Sequence, residues 1–232
     1  MEQKTLHFVG KGAAFYPPYG NTSAWFMEDG LFHLIDCGES VFPKIWNNPE
    51  MLKSDKVVVL LTHLHCDHCG SLGSLISYCS ITLKKKTTIF YPSGRLETFL
   101  SCVGIDPSYY EHIRNAEAFS YLGLEVYPSV HAPDMDCYSY MFNLGGKRIY
   151  FSGDSHVFPD EVALGLKMGK VDMVFHDTCM RKNPHHCPLS QLEQKIAIKN
   201  RSKVWCMHLD GDYTKKIMDA GFNVVEVEDG QD

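Results

Sequence analysis

The chain has 232 residues, of which 44% are hydrophobic, and its formal net charge is −6. This length and apolar content suit one domain spanning residues 1–232, since no linker rich in Pro, Gly or Ser and no solenoid repeat divides the chain. The acidic balance argues against a stable complex with a long nucleic acid, because such proteins usually carry a basic face. The single basic run, Lys84-Lys85-Lys86, is typical of a solvated loop.

The sequence lacks the features of a secreted or membrane protein. Its amino-terminal residues lack the long apolar stretch that a signal peptide contains. No apolar run reaches the roughly 20 residues that a membrane helix needs. The nine cysteines are an odd number scattered along the chain, a pattern typical of unpaired thiols in a reducing compartment. We therefore expect a cytoplasmic protein that makes no membrane contact.

The first half of the chain predicts strands and hairpins. The runs Ser23 to Met27 and Leu31 to Ile35 alternate about a Glu28-Asp29-Gly30 turn, which indicates a β-hairpin. The run Val57 to Leu61 is apolar without alternation and predicts a buried strand. The other elements expected here are strands at 5–9 and 87–91 and helices at 70–79, 95–102 and 107–114.

Three histidines and an aspartate follow the Val57 to Leu61 run within six residues. They are His63, His65, Asp67 and His68. In α/β proteins, functional side chains commonly lie in loops at the carboxyl ends of strands. Imidazole nitrogens and carboxylate oxygens are ligands for zinc and similar divalent ions. Two pairs of such ligands so close together predict two metal ions side by side.

The second half of the chain predicts alternating strands and helices. Gly145-Gly146 separates two strand-like runs and indicates a tight hairpin turn. The expected strands are 124–130, 138–144, 147–151, 171–175, 203–207 and 223–227, and the expected helices are 159–168, 189–199 and 214–220. Three polar residues, His131, Asp154 and His208, lie just after strand-like runs.

The motif His-x-His-x-Asp-His at residues 63–68 resembles that of the metallo-β-lactamase superfamily, and the three later residues match that family's remaining ligands. The resemblance implies an α/β fold (α+β in some schemes), a four-layer αβ/βα sandwich with two mixed β-sheets. It also implies that His63, His65 and His131 hold one metal, that Asp67, His68 and His208 hold the second, and that Asp154 bridges them. Asp67 is counted among the catalytic residues as well. Zinc is the expected ion, with manganese or iron as alternatives.

Further residues resemble the ribonuclease Z-like phosphodiesterase branch of that superfamily. Asp36 in Asp-Cys-Gly would support the metal loop from behind. The segment Phe175-His176-Asp177-Thr178 is similar to the branch's His-Glu-Ala-Thr element, which implies that His176, with Asp177 beside it, protonates the leaving alkoxide. The alternative for His176 is a core residue bonded to a carbonyl. His186 is loosely similar to the His of the branch's short His-Ser loop, and a polar loop is the alternative for it and for His185.

The resemblance also bears on the substrate. Ribonuclease Z carries a long RNA-gripping arm between the third His and the bridging Asp, whereas one predicted hairpin separates His131 from Asp154 here. The branch's basic early loop is replaced by Pro17-Pro18-Tyr19-Gly20-Asn21-Thr22. The chain is therefore more similar to phage and bacterial cyclic-nucleotide phosphodiesterases, including the anti-Pycsar enzymes. This implies a small anionic substrate, a cyclic mononucleotide, and a homodimer.

Three alternatives remain open at this point. The first is a ribonuclease Z that processes the 3′ end of transfer RNA. The second is hydrolysis of a carboxylic ester, lactone or thioester at the same metals, which would leave His176 without a proton to deliver. The third is a metal-stabilised binding module, although no ligand of the motif is missing from the sequence.

Overall fold

The structure, a computed structural model, describes residues 6–228. They form two compact units. Of these residues, the first unit contains 6–10, Gly20–Ala118 and 227–228; the second contains Lys11–Tyr19 and Phe119–Glu226. Each unit has one six-stranded mixed sheet, so the predicted α/β class with two mixed sheets is confirmed. The single-domain organisation stays a prediction.

The first unit contains strands β1 to β6 in sequential order across its sheet. The strands are β1 (His7–Gly10), β2 (Ser23–Glu28), β3 (Leu31–Ile35), β4 (Val57–Leu60), β5 (Thr87–Phe90) and β6 (Tyr110–Ile113). Pairing is antiparallel from β1 to β3 and parallel from β3 to β6. All four residues of β4 are buried, as expected of a central parallel strand covered on both faces. The predicted start of β1, Thr5, lies outside the described residues.

The helices of the first unit are short. They are α1 (Phe42–Ile45), α2 (Pro49–Lys53), α3 (Cys66–Cys69), α4 (Leu72–Ser77) and α5 (Arg95–Cys102). Asn48 caps α2 by accepting hydrogen bonds from the backbone N–H groups of Glu50 and Met51, which satisfies two donors that have no partner within a helix. The predicted helix at 70–79 is α4, which continues into a π-helical turn at Tyr78–Thr82.

The second unit repeats the pairing scheme of the first. Its strands are β7 (Glu125–Pro128), β8 (Tyr138–Leu144), β9 (Lys147–Phe151), β10 (Met173–Asp177), β11 (Val204–Met207) and β12 (Asn223–Val224). Pairing is antiparallel from β7 to β9 and parallel from β9 to β12. Gly145 and Gly146 both have positive φ, 55° and 73°, which the predicted two-residue hairpin turn requires.

Of the four α-helices that the structure describes in the second unit, three contribute buried side chains to an apolar core. The four are α6 (Asp160–Met168), α7 (Leu189–Lys195), α8 (Ile198–Arg201) and α9 (Thr214–Asp219). Val162, Leu166, Leu192 and Ile217 from α6, α7 and α9 join the buried cluster of this unit. Burying a side chain of this size contributes roughly 1.5–3 kcal/mol. Among residues 6–228, no helix has both the length and the apolar character needed to cross a bilayer.

Two predicted helices were wrong in part. Only Pro107–Tyr109 is helical in the segment 107–114, as one 3₁₀ turn capped by Asp106, and the residues after it pair with β5 as strand β6. Long-range pairing thus overrides the local helical pattern. The helix expected at 189–199 is interrupted at Ile196, whose backbone is extended, with φ −111° and ψ 116°. Ile196 is buried in the core of the unit.

Candidate active site

In the first unit, a turn of helix follows β4 and brings the predicted metal ligands together. The loop after β4 begins at Leu61, and Asp67 and His68 lie on α3. The Nε2 of His63 lies 3.0 Å from Nδ1 of His65. Two nitrogens that bind the same cation at about 2 Å are expected to lie about 3 Å apart. Asp67 Oδ2 lies 3.3 Å from His68 Nε2. His63, Asp67 and His68 are buried.

Asp36 lies behind this loop at the end of β3. Its Oδ1 accepts a hydrogen bond from the Thr62 backbone N–H at 2.7 Å, and its Oδ2 accepts one from His68 Nδ1 at 2.7 Å. The carboxylate therefore fixes the proton of His68 on Nδ1. The lone pair of Nε2 then points away from Asp36. Burial raises the pKa of Asp36, and the neighbouring His68 and Thr62 oppose that rise.

Thr62 extends the same arrangement to a second histidine, a role that the sequence analysis missed. Its hydroxyl donates to Asp36 Oδ2 at 2.8 Å, so the same oxygen accepts from His63 Nδ1, 3.1 Å away. The tautomer of His63 is thereby fixed, with the proton on Nδ1. No local sequence pattern indicates this role, because the hydroxyl is oriented by an aspartate 26 residues earlier.

In the second unit, Asp154 lies in the turn after β9 between two predicted ligands. Its Oδ2 is 3.5 Å from His131 Nε2, and its Oδ1 is 3.3 Å from His208 Nε2. Gly153, which precedes it, has a φ of 56°, a backbone conformation that glycine adopts without strain. Asp154 and His208 are each 3% exposed. Two oxygens of one carboxylate thus face two different imidazoles.

Asp177, at the end of β10, contacts two histidines of this unit. Its Oδ2 accepts a hydrogen bond from His186 Nδ1 at 2.7 Å, and its Oδ1 is 3.5 Å from His208 Nδ1. The ligand atoms of Asp154, Asp177, His186 and His208 all lie within 4.8 Å of one another. Burial acts to raise the pKa of Asp177, but the hydrogen bond from His186 and the nearby ring of His208 hold that pKa below its usual range.

His186 is only partly exposed, and two carboxylates lie near its ring. Its side chain is 21% exposed, and its Nδ1 lies 4.0 Å from Asp154 Oδ2. Burial acts to lower its pKa, but the hydrogen bond and charge of Asp177, together with the charge of Asp154, raise it. The ring therefore holds its proton more tightly than a solvent-exposed imidazole does.

His176 is not part of this cluster. It is fully buried, its Nδ1 donates to the backbone carbonyl of Asp177 at 2.7 Å, and its ring lies 5.0 Å from that of Phe158. Burial lowers the pKa of His176. This placement matches the core-residue alternative and argues against the proton-donor role expected for it. Since neighbouring strand residues point to opposite faces, His176 and Asp177 cannot both face the cluster.

The donor sets of both units fit divalent cations. The first unit offers three imidazoles and a carboxylate, and the cluster in the second offers two imidazoles and two carboxylates. The Nδ1 atoms of His68 and His131 donate to Asp36 and to the His185 carbonyl. A second hydrogen bond of this kind is the usual partner of a metal-bound imidazole.

Comparison with known proteins places these features in context. A model of the β-lactamase superfamily domain matches residues 33–209. The "Anti-Pycsar protein Apyc1" of Paenibacillus harenae is 30% identical over 220 residues, which cover 88% of each chain. A ribonuclease Z of Shouchella clausii is 33% identical over 99 residues, which cover 41% of this chain and 31% of that protein. The crystal structure of the metallo-β-lactamase fold protein YhfI of Bacillus subtilis matches with a TM-score of 0.72 over 97% of each chain, at 15% identity.

Proposed function

The chain belongs to the metallo-β-lactamase superfamily and is a metal-dependent hydrolase, and from this premise we propose that it hydrolyses a small phosphodiester, a cyclic mononucleotide. The hydrogen bond between His186 and Asp177 is the observation that carries the proposal. A phosphodiester with an alkoxide leaving group needs a proton at the departing oxygen, and an imidazole held by a carboxylate can supply it near neutral pH.

The proposed metal ligands are the seven residues of the family motif. His63, His65 and His131 would hold one ion, Asp67, His68 and His208 the other, and Asp154 would bridge them. Two divalent ions, zinc by preference, would supply a bound hydroxide at neutral pH and neutralise charge on the phosphate. The residues of this chain orient the ligands: Asp36 and Thr62 fix the rings of His68 and His63, and Asp177 contacts His208.

His186 takes the proton-donor role in this proposal in place of His176. Asp177 keeps the proton of His186 on Nδ1 and stabilises the charged ring. When the ring is charged, both nitrogens are donors, so Nε2 can protonate a leaving oxygen while Nδ1 remains bonded to Asp177. His176 donates a hydrogen bond to a backbone carbonyl in the core and would have to break that bond to reach any substrate.

Three observations favour a small substrate over a transfer RNA precursor. The similarity to Apyc1 extends over 88% of the chain, whereas that to ribonuclease Z extends over 41%. His131 and Asp154 are separated by the single hairpin β8–β9 with its connections, which leaves no segment for an RNA-gripping arm. The segment Pro17–Thr22 contains no basic residue.

A substrate panel tests the proposal. The panel contains cyclic AMP, GMP, CMP and UMP, cyclic dinucleotides and precursor transfer RNA, each with and without a chelator. We expect chelator-sensitive hydrolysis of at least one cyclic mononucleotide at a kcat/KM well above that for precursor transfer RNA. Faster cleavage of precursor transfer RNA would instead identify a ribonuclease Z.

A comparison of two histidine variants tests the proton donor. We expect His186→Gln to lower kcat on a cyclic nucleotide by about 10²–10⁴-fold, and to lower it much less on bis(p-nitrophenyl) phosphate, whose leaving group departs without a proton. His176→Asn, checked for folding by circular dichroism, should show no such dependence on the leaving group. The opposite result for the two variants would return the role to His176.

The same experiments separate the two remaining alternatives. An ester, lactone or thioester hydrolase would cleave such substrates faster than any phosphodiester. The loss of kcat in His186→Gln would then be the same for cyclic nucleotides and for bis(p-nitrophenyl) phosphate. A binding module would retain two ions per chain by elemental analysis but would hydrolyse no ester.

Assembly and location complete the proposal. We expect a homodimer, by resemblance to the cyclic-nucleotide phosphodiesterases. Light scattering after size-exclusion chromatography should give a molar mass twice the 26.3 kDa of one chain. We place the protein in the cytoplasm, because seven of its nine cysteines are buried thiols on strands, helices and loops, and all nine are free of disulfides.

A further inference from the structure

The loop that carries His186 is closed at its base by backbone hydrogen bonds. The N–H of Cys179 donates to the carbonyl of Cys187 at 2.9 Å, and the N–H of Leu189 donates to the carbonyl of Cys179 at 2.9 Å. These bonds fix the two ends of the loop, residues 180–186, but they do not determine where its histidines lie. Additional contacts must therefore position the tip.

His185 and His131 exchange a pair of hydrogen bonds. The Nδ1 of His131 lies 2.9 Å from the carbonyl oxygen of His185, and the Nδ1 of His185 lies 2.9 Å from the carbonyl oxygen of His131. A carbonyl oxygen only accepts, so both Nδ1 atoms carry the proton. The side chain of each residue thus holds the backbone of the other.

His156 makes a third contact with the same loop. Its Nδ1 donates to the carbonyl of His186 at 3.2 Å, and its own N–H donates to the carbonyl of Val130 at 2.7 Å. It therefore links the loop to the residue before His131, and it lies two residues after Asp154. His185 and His156 together connect three segments, each of which carries a residue assigned to the reaction.

We propose that His185 and His156 are positioning residues that clasp the 180–186 loop to the segments carrying His131 and Asp154, and so place His186 for proton transfer. The inference rests on the proposed function, because His186 is the proton donor there. His185 is exposed and His156 is half-buried, so neither ring is needed to fill the core. Their contacts are directed at backbone carbonyls of the site.

Isosteric substitutions separate the hydrogen bond from the shape of the side chain. In His185→Asn, the amide nitrogen replaces Nδ1 at the same distance from the backbone and can still donate. In His185→Leu, a methyl group replaces Nδ1 and cannot. The pair His156→Asn and His156→Leu applies the same logic to the second contact. His7→Leu, a histidine of the first unit bonded to Glu228, controls for loss of a surface imidazole.

Hydrogen exchange of the 180–187 peptide, measured by mass spectrometry on chelator-treated protein, is the first readout. We expect exchange to be roughly 3- to 10-fold faster in each Leu variant than in its Asn counterpart, as for loss of one hydrogen bond. Exchange in peptides of β4 and β10 should be unchanged, as should that of the loop in His7→Leu. Equal exchange in His185→Leu and His185→Asn would overturn the proposal.

Leaving-group dependence is the second readout. We expect His185→Leu with metals restored to lose about 10–100-fold in kcat on a cyclic nucleotide and much less on bis(p-nitrophenyl) phosphate, with Asn restoring most of the loss. Equal losses on both substrates at equal metal content would overturn the positioning role. If the wild type hydrolyses no cyclic nucleotide, the proposed function fails, while the exchange measurement still decides whether the clasp exists.

Discussion

At the scale of single residues, the candidate site depends on groups that orient the histidines. Asp36 accepts a hydrogen bond from His68, and the Thr62 hydroxyl accepts one from His63. Each contact fixes which ring nitrogen can bind a cation. Removing such a partner typically lowers metal affinity or activity by about 10–100-fold, although the ligand itself remains.

Thr62→Val tests this effect, since the change keeps the shape of the side chain and removes the hydroxyl. We expect zinc affinity, measured by competition with a chelating dye, to fall by about 10-fold or more. Thr62→Ser retains the hydroxyl and should stay near the wild type. Equal affinities for the Val and Ser variants would show that the hydroxyl does not orient His63.

A buried histidine outside the metal motif should affect stability in mild acid. His33 on β3 is buried, stacks on Phe26 with ring centroids 4.7 Å apart, and donates from Nδ1 to the carbonyl of Leu31. Burial lowers its pKa to about 4. The unfolded chain therefore takes up a proton at His33 near pH 6.5, before the folded chain does.

We expect this difference to destabilise the protein as the pH falls from about 6.5 to 4, by up to about 3 kcal/mol. The stability is present above the unfolded pKa and is lost toward the folded one. Urea unfolding of chelator-treated wild type and His33→Phe at a series of pH values measures it. The difference between the two proteins should change across this range, and parallel curves would contradict the assignment.

At the scale of secondary-structure elements, close backbone contacts hold the loop after β3 against α3. A Cβ atom on Gly38 would lie 1.9 Å from the carbonyl oxygen of Asp67. The N–H of Cys37 donates to the carbonyl of His68 at 2.7 Å. The segment that carries Asp36 is thereby fixed to the helical turn that carries Asp67 and His68, and only glycine permits this approach.

Gly38→Ala should therefore destabilise the protein by about 1–3 kcal/mol through overpacking, as measured by urea unfolding. Gly94→Ala is the matched control, because the nearest atom to its added Cβ would be 3.5 Å away, on the Arg114 side chain. That change should stay within about 0.5 kcal/mol of the wild type. A neutral Gly38→Ala would mean that the two segments can separate without cost.

The bounds of several strands and helices were predictable from the sequence. The bounds of β3, β8, β9 and α5 agree with those expected, because hydrophobic period and turn residues define them locally. Strand β6 was missed because its pairing with β5 involves residues more than twenty positions away. Contacts between distant residues leave no periodic pattern in the sequence.

In the candidate site, too, the residues adjacent in sequence were predictable and the contacts between distant residues were not. The motif at residues 63–68 was recognisable because its ligands are contiguous in sequence. His176 was preferred over His186 because it lies in the better-matched segment, yet strand alternation turns its ring into the core once Asp177 faces the cluster. The clasp formed by His185 and His156 depends on carbonyl positions, which no choice of residue type indicates.

At the scale of the whole molecule, both units place polar residues at the carboxyl ends of parallel strands. Asp36 and His63 follow β3 and β4, whereas Asp154, Asp177 and His208 follow or end β9, β10 and β11. The carboxyl edge of such strands is where α/β proteins generally bind ligands. A cation bound there would stabilise the folded chain over the unfolded one.

We therefore expect zinc to raise the melting temperature of chelator-treated protein. A free concentration of 100 times Kd contributes about 2.7 kcal/mol per site, which corresponds to roughly 5–10 °C for a chain of this length. Differential scanning fluorimetry measures the shift. Asp154→Asn should respond much less, and identical responses in the two proteins would remove Asp154 from the ligand set.

The shared carboxylate of Asp177 constrains how this protein can change. Since one side chain contacts both His186 and His208, a substitution there alters the acidity of one ring and the orientation of the other together. Laboratory evolution toward a poorer leaving group would then carry a shift in ion preference with it. Independent tuning of the two traits would first require a separate support for one of the histidines.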